Sequence, residues 1–205
     1  AQPSYIPRIK AFFKEPVNPI GLARPVTRKI VNQFYKAHQN ELSLPESFSL
    51  AESLLKTGKH EYCEAAFFLA EKYKKEYSQK TFPIFQRWLS KYANNWALVD
   101  TLAPSGIGPL VQAYPELFPK IKLWTKSKNR WLRRASVVSF TLIARRQDYT
   151  QEVTELVSEL LPDSDDLIQK ACGWALRESA KSNKPAILQF LRKHKQQMRG
   201  ENPEI

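Results

Sequence analysis

Residues 47–92 read SFSLAESLLKTGKHEYCEAAFFLAEKYKKEYSQKTFPIFQRWLSKY. Apolar side chains recur through this stretch at intervals of three and four: Phe48, Ala51, Leu54 and Leu55, then Ala66, Leu69, Ala70 and Tyr73, then Phe82, Phe85, Leu89 and Tyr92. Each set lines one face of a helix, whereas a half-buried strand would alternate every second residue. Ser47 and Thr81 stand where helix N-caps are wanted. Upstream, Ile30, Phe34 and Ala37 continue the pattern, and Pro25 suits a first helical turn because its missing N–H has no partner there anyway. Downstream, Pro104, Pro109, Pro115, Pro119, Pro162 and Pro185 cut the apolar runs into short pieces. The expected helices span 25–40, 47–57, 60–76, 81–92, 94–102, 105–113, 116–127, 129–145, 150–161, 165–182 and 185–197.

The chain is therefore expected to be all-α. Its helices fall into antiparallel pairs, 47–76, 81–102, 105–127, 129–161 and 165–197. Short pairs without a repeating consensus fit a right-handed superhelical α-solenoid of degenerate HEAT-like units with a concave face, or else an ordinary globular bundle. A single domain over residues 1–205 is expected, with 198–205 as a flexible tail. The chain starts at Ala1 and its one Met is Met198, so a trimmed or processed native start is anticipated. The run from Ala135 to Ala144 is about half a membrane span and carries three hydroxyl residues, which excludes it as a transmembrane helix. No signal peptide is visible, and Cys63 and Cys172 read as buried thiols of a reducing compartment, here the cytoplasm near the nucleoid.

The formal charge is +12, and it is unevenly spread. From 117 to 147 there is no acid, but nine bases: Lys120, Lys122, Lys126, Lys128, Arg130, Arg133, Arg134, Arg145 and Arg146. Trp124 and Trp131 are interleaved with them. Lys170, Trp174 and Arg177 form a second stripe at helical spacing. Bases flanking tryptophan suit a phosphate backbone with its sugars and bases, so nucleic acid ranks ahead of a membrane surface as partner. Lys126, Lys128, Arg130, Arg133, Lys170 and Arg177 are the expected DNA contacts.

Most catalytic patterns are missing. There is no phosphate-cradling loop, so no nucleotide cofactor is expected. The segment His60–Glu64, HEYCE, has half of a metal helix without its second histidine. Asp163, Asp165 and Asp166 lack the glycine and distal glutamate of a calcium loop and suit a helix start. No metal and no other cofactor are expected. What survives is Trp96 and Asp100, one turn apart in NNWALVD (94–100). Asp100 is one of three acids between 77 and 151, and by itself it reads first as the partner of an arginine or as a helix cap.

NNWALVD, then YPELFPKIKLWTKSKNRWLRRAS (114–136), then IQKACGWALRES (168–179) closely resemble the AlkD family of DNA alkylation-repair glycosylases. GLARPVTRKI (21–30) is similar to that family's glycine-proline-arginine segment, and the likeness runs from about residue 10 to residue 195, which leads to the expectation of a shorter N-terminus with a first helix missing. The resemblance implies HEAT-like repeats whose concave face holds duplex DNA. It also implies release of cationic alkylpurines such as N3-methyladenine and N7-methylguanine, without swinging the lesion into a pocket. Asp100 matches the catalytic aspartate, Trp96 and Trp174 the two tryptophans, and Arg134 the arginine of the site. Related proteins lacking the aspartate or the tryptophans bind DNA without catalysis.

The chemistry agrees with these residues. An alkylated purine cation already leaves readily, so a site without histidine or a second carboxylate suffices. Asp100 would stabilise positive charge arriving on the deoxyribose and position water. Trp96 and Trp174 would pack on sugar C–H groups, and Arg134 would fix a phosphate and keep Asp100 ionised. No lysine lies within a turn of Asp100, which points to a monofunctional enzyme. The expected partner is double-stranded DNA with alkylated purines, bound by a monomer. The alternative is a non-catalytic HEAT-type scaffold for DNA or protein.

Overall fold

The computed structural model describes residues 3–197, which form helices and turns and, within that range, no strand. The tail expected at 198–205 lies outside the described residues. The α-helices are α1 (Ile6–Phe12), α2 (Arg24–His38), α3 (Leu44–Lys56), α4 (His60–Lys72), α5 (Thr81–Lys91), α6 (Trp96–Leu102), α7 (Gly108–Ala113), α8 (Phe118–Lys122), α9 (Arg130–Val138), α10 (Thr150–Leu160), α11 (Asp166–Ser179) and α12 (Lys184–Lys193). No helix is long and apolar enough to cross a membrane.

The departures from expectation have local causes. A short helix, α1, lies ahead of residue 25, where the expected helices begin. α3 starts at Leu44 because Ser43, not Ser47, opens it: the Glu46 carboxylate accepts from the Ser43 amide at 2.8 Å and from its hydroxyl at 2.6 Å. Ser47 is instead sealed inside the helix interface. α9 stops at Val138 rather than 145. There the hydroxyls of Ser139 and Thr141 donate to the carbonyls of Ala135 and Val138, and the chain turns while still buried. The third expected pair is broken into α7, α8 and flanking 3-10 turns by its three prolines and two glycines.

The helices form two layers. α2, α4, α6, α9 and α11 pack successively, each on the next, while α3, α5, α10 and α12 lie behind them. Between the layers sits an apolar core in which Phe48, Phe67 and Phe85 surround Trp88, with ring centroids 5.2 to 6.3 Å away. At Gly108 the backbones meet closely: a Cβ there would lie 2.7 Å from the Ser139 carbonyl oxygen, so only glycine lets α7 approach the end of α9. The two cysteines are free and buried, and desolvation pushes the Cys63 thiol to about 11 and that of Cys172 to about 12.

The segment leading into α2 is fixed by one carboxylate. Glu61, 1% exposed, accepts from the amides of Ile20 at 2.8 Å, Gly21 at 3.0 Å and Leu22 at 3.1 Å. Gly21, at φ 83°, supplies the left-handed turn that points these amides inward. Glu61→Gln turns one acceptor into a donor facing an amide and is expected to cost about 2–3 kcal/mol, read as a lower urea midpoint. An unchanged midpoint would remove this anchoring role.

Candidate active site

Three inner-layer helices build the site. α6 is started by Asn95, whose Oδ1 accepts from the Leu98 amide at 3.1 Å, and this sets Trp96 and Asp100 one turn apart. Directly after α6 the chain widens into a π-turn over Ala103–Ile107, a distortion often found beside functional residues. Asn129 caps α9 through the Trp131 amide at 2.8 Å and so places Arg134 one turn in. Asp165 caps α11 through the Leu167 amide at 3.0 Å, and Trp174 follows two turns later.

Arg134 joins all three. Its Nε donates to Asp100 Oδ1 at 2.8 Å and its Nη2 to Oδ2 at 2.7 Å, a bidentate fork, while Nη1 donates to the Leu167 carbonyl. The Arg134 side chain is 7% exposed and that of Asp100 is 15% exposed. This corrects the expectation that Arg134 fixes a phosphate: the guanidinium is buried and holds the carboxylate. The reading of Asp100 as an arginine's partner is met by the same bond. Burial pushes the Asp100 carboxyl above its ordinary range, and Arg134, then Arg24, pull against that rise.

A cavity of about 570 Å³ opens at this carboxylate, with Trp96 and Trp174 in its walls. Arg24, His60 and Glu64 also line it, so the site does not lack a histidine or a second carboxylate. Arg24 Nη1 donates to Glu64 Oε1 at 2.6 Å and to Thr101 Oγ1 at 2.7 Å, and its guanidinium lies 5.0 Å from the Phe68 ring. Because the Asn95 oxygen caps α6, its amide nitrogen faces His60 Nδ1, 3.3 Å away, and that ring nitrogen acts as the acceptor. Burial lowers the His60 pKa, so the ring is neutral at pH 7. These residues lay in segments already conspicuous in the sequence, GLARPVTRKI and HEYCE. Their spacing, with His60 and Glu64 on one face of α4, was the available signal.

The charged window is less free than its composition implies, because the opposing acids come from elsewhere in the chain. Arg130 forks onto Asp165 at 2.8 Å through both Nε and Nη2, and Arg133 Nε meets Asp163 at 2.7 Å. Lys170 pairs with Asp166 at 2.8 Å on the surface. Arg177 is exposed, its nearest carboxylate being that of Glu178 at 3.8 Å. Lys126 and Lys128 are exposed and have no ion pair among the described residues. Trp124 is core, stacked on Phe82 at 5.2 Å, while half-buried Trp131 sits 4.9 Å below the Arg130 guanidinium.

The sequence model of the DNA alkylation repair enzyme family matches residues 1–201. A solved structure described as "Predicted DNA alkylation repair enzyme from Enterococcus faecalis" superposes with a TM-score of 0.82 over 100% of this chain and 97% of its own, at 18% identity. That likeness establishes the all-helical fold. No curated protein matches the chain by sequence. With nearly its whole length matched, this chain belongs to the DNA alkylation repair enzyme family.

Proposed function

We propose that this chain is a monofunctional DNA glycosylase that hydrolyses the N-glycosidic bond of cationic alkylated purines, of the N3-methyladenine and N7-methylguanine type, in duplex DNA. The single observation that carries the reading is the Asp100 carboxylate, held by the Arg134 fork at the mouth of a cavity walled by Trp96 and Trp174.

As the bond to a cationic base breaks, positive charge passes from base to deoxyribose. A carboxylate fixed beside C1′ gains most in that transition state and orients the incoming water. Trp96 and Trp174 pack on the sugar of the damaged nucleotide, and Arg134 acts as a positioning residue for Asp100. His60 and Glu64 do not supply a proton to the leaving base: the first is neutral and the second is tied to Arg24. A base already cationic needs none. Lys126 and Lys128, exposed and free of ion pairs among the described residues, are the simplest phosphate contacts, with the exposed Lys170 and Arg177 of α11 beside them in rank. Arg130 and Arg133 reach a phosphate only by sharing it with Asp165 and Asp163.

Incubating the protein with duplex DNA containing N7-methylguanine is expected to release the free base and leave an intact abasic strand. Tight, salt-sensitive binding with no base released would establish the non-catalytic alternative.

A further inference from the structure

The N-terminal segment, which the sequence reading left unassigned, forms one wall of the same cavity. Tyr5, Arg8, Ile9 and Phe12 recur at helical spacing and line it, facing Trp96, Asp100 and Trp174. The segment is held at two places. Phe12 and Phe13 lie 5.5 and 5.6 Å from the Trp96 ring, and Phe13 lies 5.3 Å from His60. On the far side Glu15 Oε1 is 3.4 Å from Arg130 Nη1. None of the residues of α1 is buried, and Phe12 is 67% exposed although it touches the tryptophan beside Asp100. Arg8, Lys10 and Lys14 are exposed too, and among the described residues none has an ion-pair partner.

An aromatic ring left in water beside a row of unpaired bases is the pairing that grips single nucleotides: cations for the phosphates and a flat apolar face for a base or sugar. We infer that residues 5–14 are a DNA-contacting arm in which Phe12 stacks on a nucleotide next to the lesion while Arg8 and Lys10 hold its flanking phosphates. The arm rests on the reading of the cavity as a DNA site. The ring continues the Phe13–Trp96 surface outward, so a nucleotide seated on Trp96 meets Phe12 without any change in fold. The Glu15–Arg130 contact fixes the arm across the site, from α4 and α6 to α9.

The test uses a duplex with a stable tetrahydrofuran abasic analogue, whose binding needs no chemistry, followed by fluorescence anisotropy over a range of salt. Phe12→Ala is expected to weaken binding about tenfold with an unchanged salt slope and an unchanged Tm, because the ring is exposed and uncharged. Phe12→Tyr is expected to restore affinity. Replacing Arg8 and Lys10 together with glutamine is expected to make the slope shallower by about two. Affinity within twofold of the parent for Phe12→Ala, or a slope unaltered in the double variant, would overturn the arm. A parent that binds this duplex but releases no base from methylated DNA would remove the glycosylase reading, while the same affinities would still decide the arm.

Discussion

Asp100→Asn is expected to lower single-turnover base release by about two to three decades while duplex affinity stays equal or rises. A unit charge about 4 Å from the developing sugar cation, at an effective dielectric near 20, is worth up to ~4 kcal/mol, and the cationic ground state is also attracted, so only the difference accelerates. The Arg134 fork brings the net charge of the pair close to zero. What remains is a carboxylate whose oxygens are aimed by two hydrogen bonds of 2.7 and 2.8 Å and which lines the cavity, as the guanidinium does not. Asparagine keeps the shape and loses the charge, so repulsion of the DNA backbone falls while catalysis is lost. A variant releasing base at the parental rate would refute the role of Asp100.

The same residue sets a pH dependence. Burial raises the folded pKa of Asp100, so base release by the parent is expected to fall with decreasing pH at a midpoint above the ordinary aspartate value, and the asparagine variant is expected to lack that limb. The sign for stability is opposite. A carboxyl whose folded pKa is raised contributes most below its unfolded pKa, and that contribution is lost as pH rises through the folded value. Acid loss of activity through this group therefore does not require unfolding. Circular dichroism that stays native while release declines would be the expected record; coincident loss of both would contradict it.

Arg134→Ala is expected to be the most damaging single change to stability. It strands a carboxylate with only 15% side-chain exposure and frees the Leu167 carbonyl. Breaking a buried pair by removing one partner costs about 3–5 kcal/mol, so Tm should fall by roughly ten degrees, and base release should fall with it because Asp100 is no longer aimed. Arg134→Lys returns the charge without the fork and should recover part of the stability and little of the activity. The salt slope of DNA binding should not move in either variant. A slope reduced by about one at unchanged Tm would restore the phosphate role and overturn the positioning role.

The all-helical fold was legible because its signal is local: three- and four-residue periodicity with prolines at the breaks. Boundaries failed where another interaction outcompeted propensity, as with the Ser43–Glu46 box and the self-bonding hydroxyls of Ser139 and Thr141. α1 is only seven residues long, with a proline at its second position, so Ile6, Ile9 and Phe12 recur at helical spacing over too short a run to stand out in the sequence. Asp100, Trp96 and Trp174 were visible as spaced motifs, and the structure brings them to one cavity. The bonding of the arginines was not. Asp163 and Asp165 lie thirty or more positions from Arg133 and Arg130, and a charge count along the chain has no means of bringing them together. The partners of His60 and Glu64, Asn95 and Arg24, come from distant segments, so HEYCE alone does not reveal what these two side chains do.

Four inner helices wall the cavity, with Arg24 from α2, His60 and Glu64 from α4, Trp96 and Asp100 from α6 and Trp174 from α11, while Arg134 of α9 holds Asp100 without lining it. Along this row each helix contacts the next, and α3, α5, α10 and α12 support it from the other layer. α2 and α11 stand at the two ends of the row, each with a row neighbour on one side only, and they carry Arg24 and Trp174. Fraying of a single terminal helix would dismantle the chemistry while most of the molecule stays folded. Warming would therefore silence this protein before it denatures it, and its working temperature range is set by its two outermost helices rather than by its aromatic core.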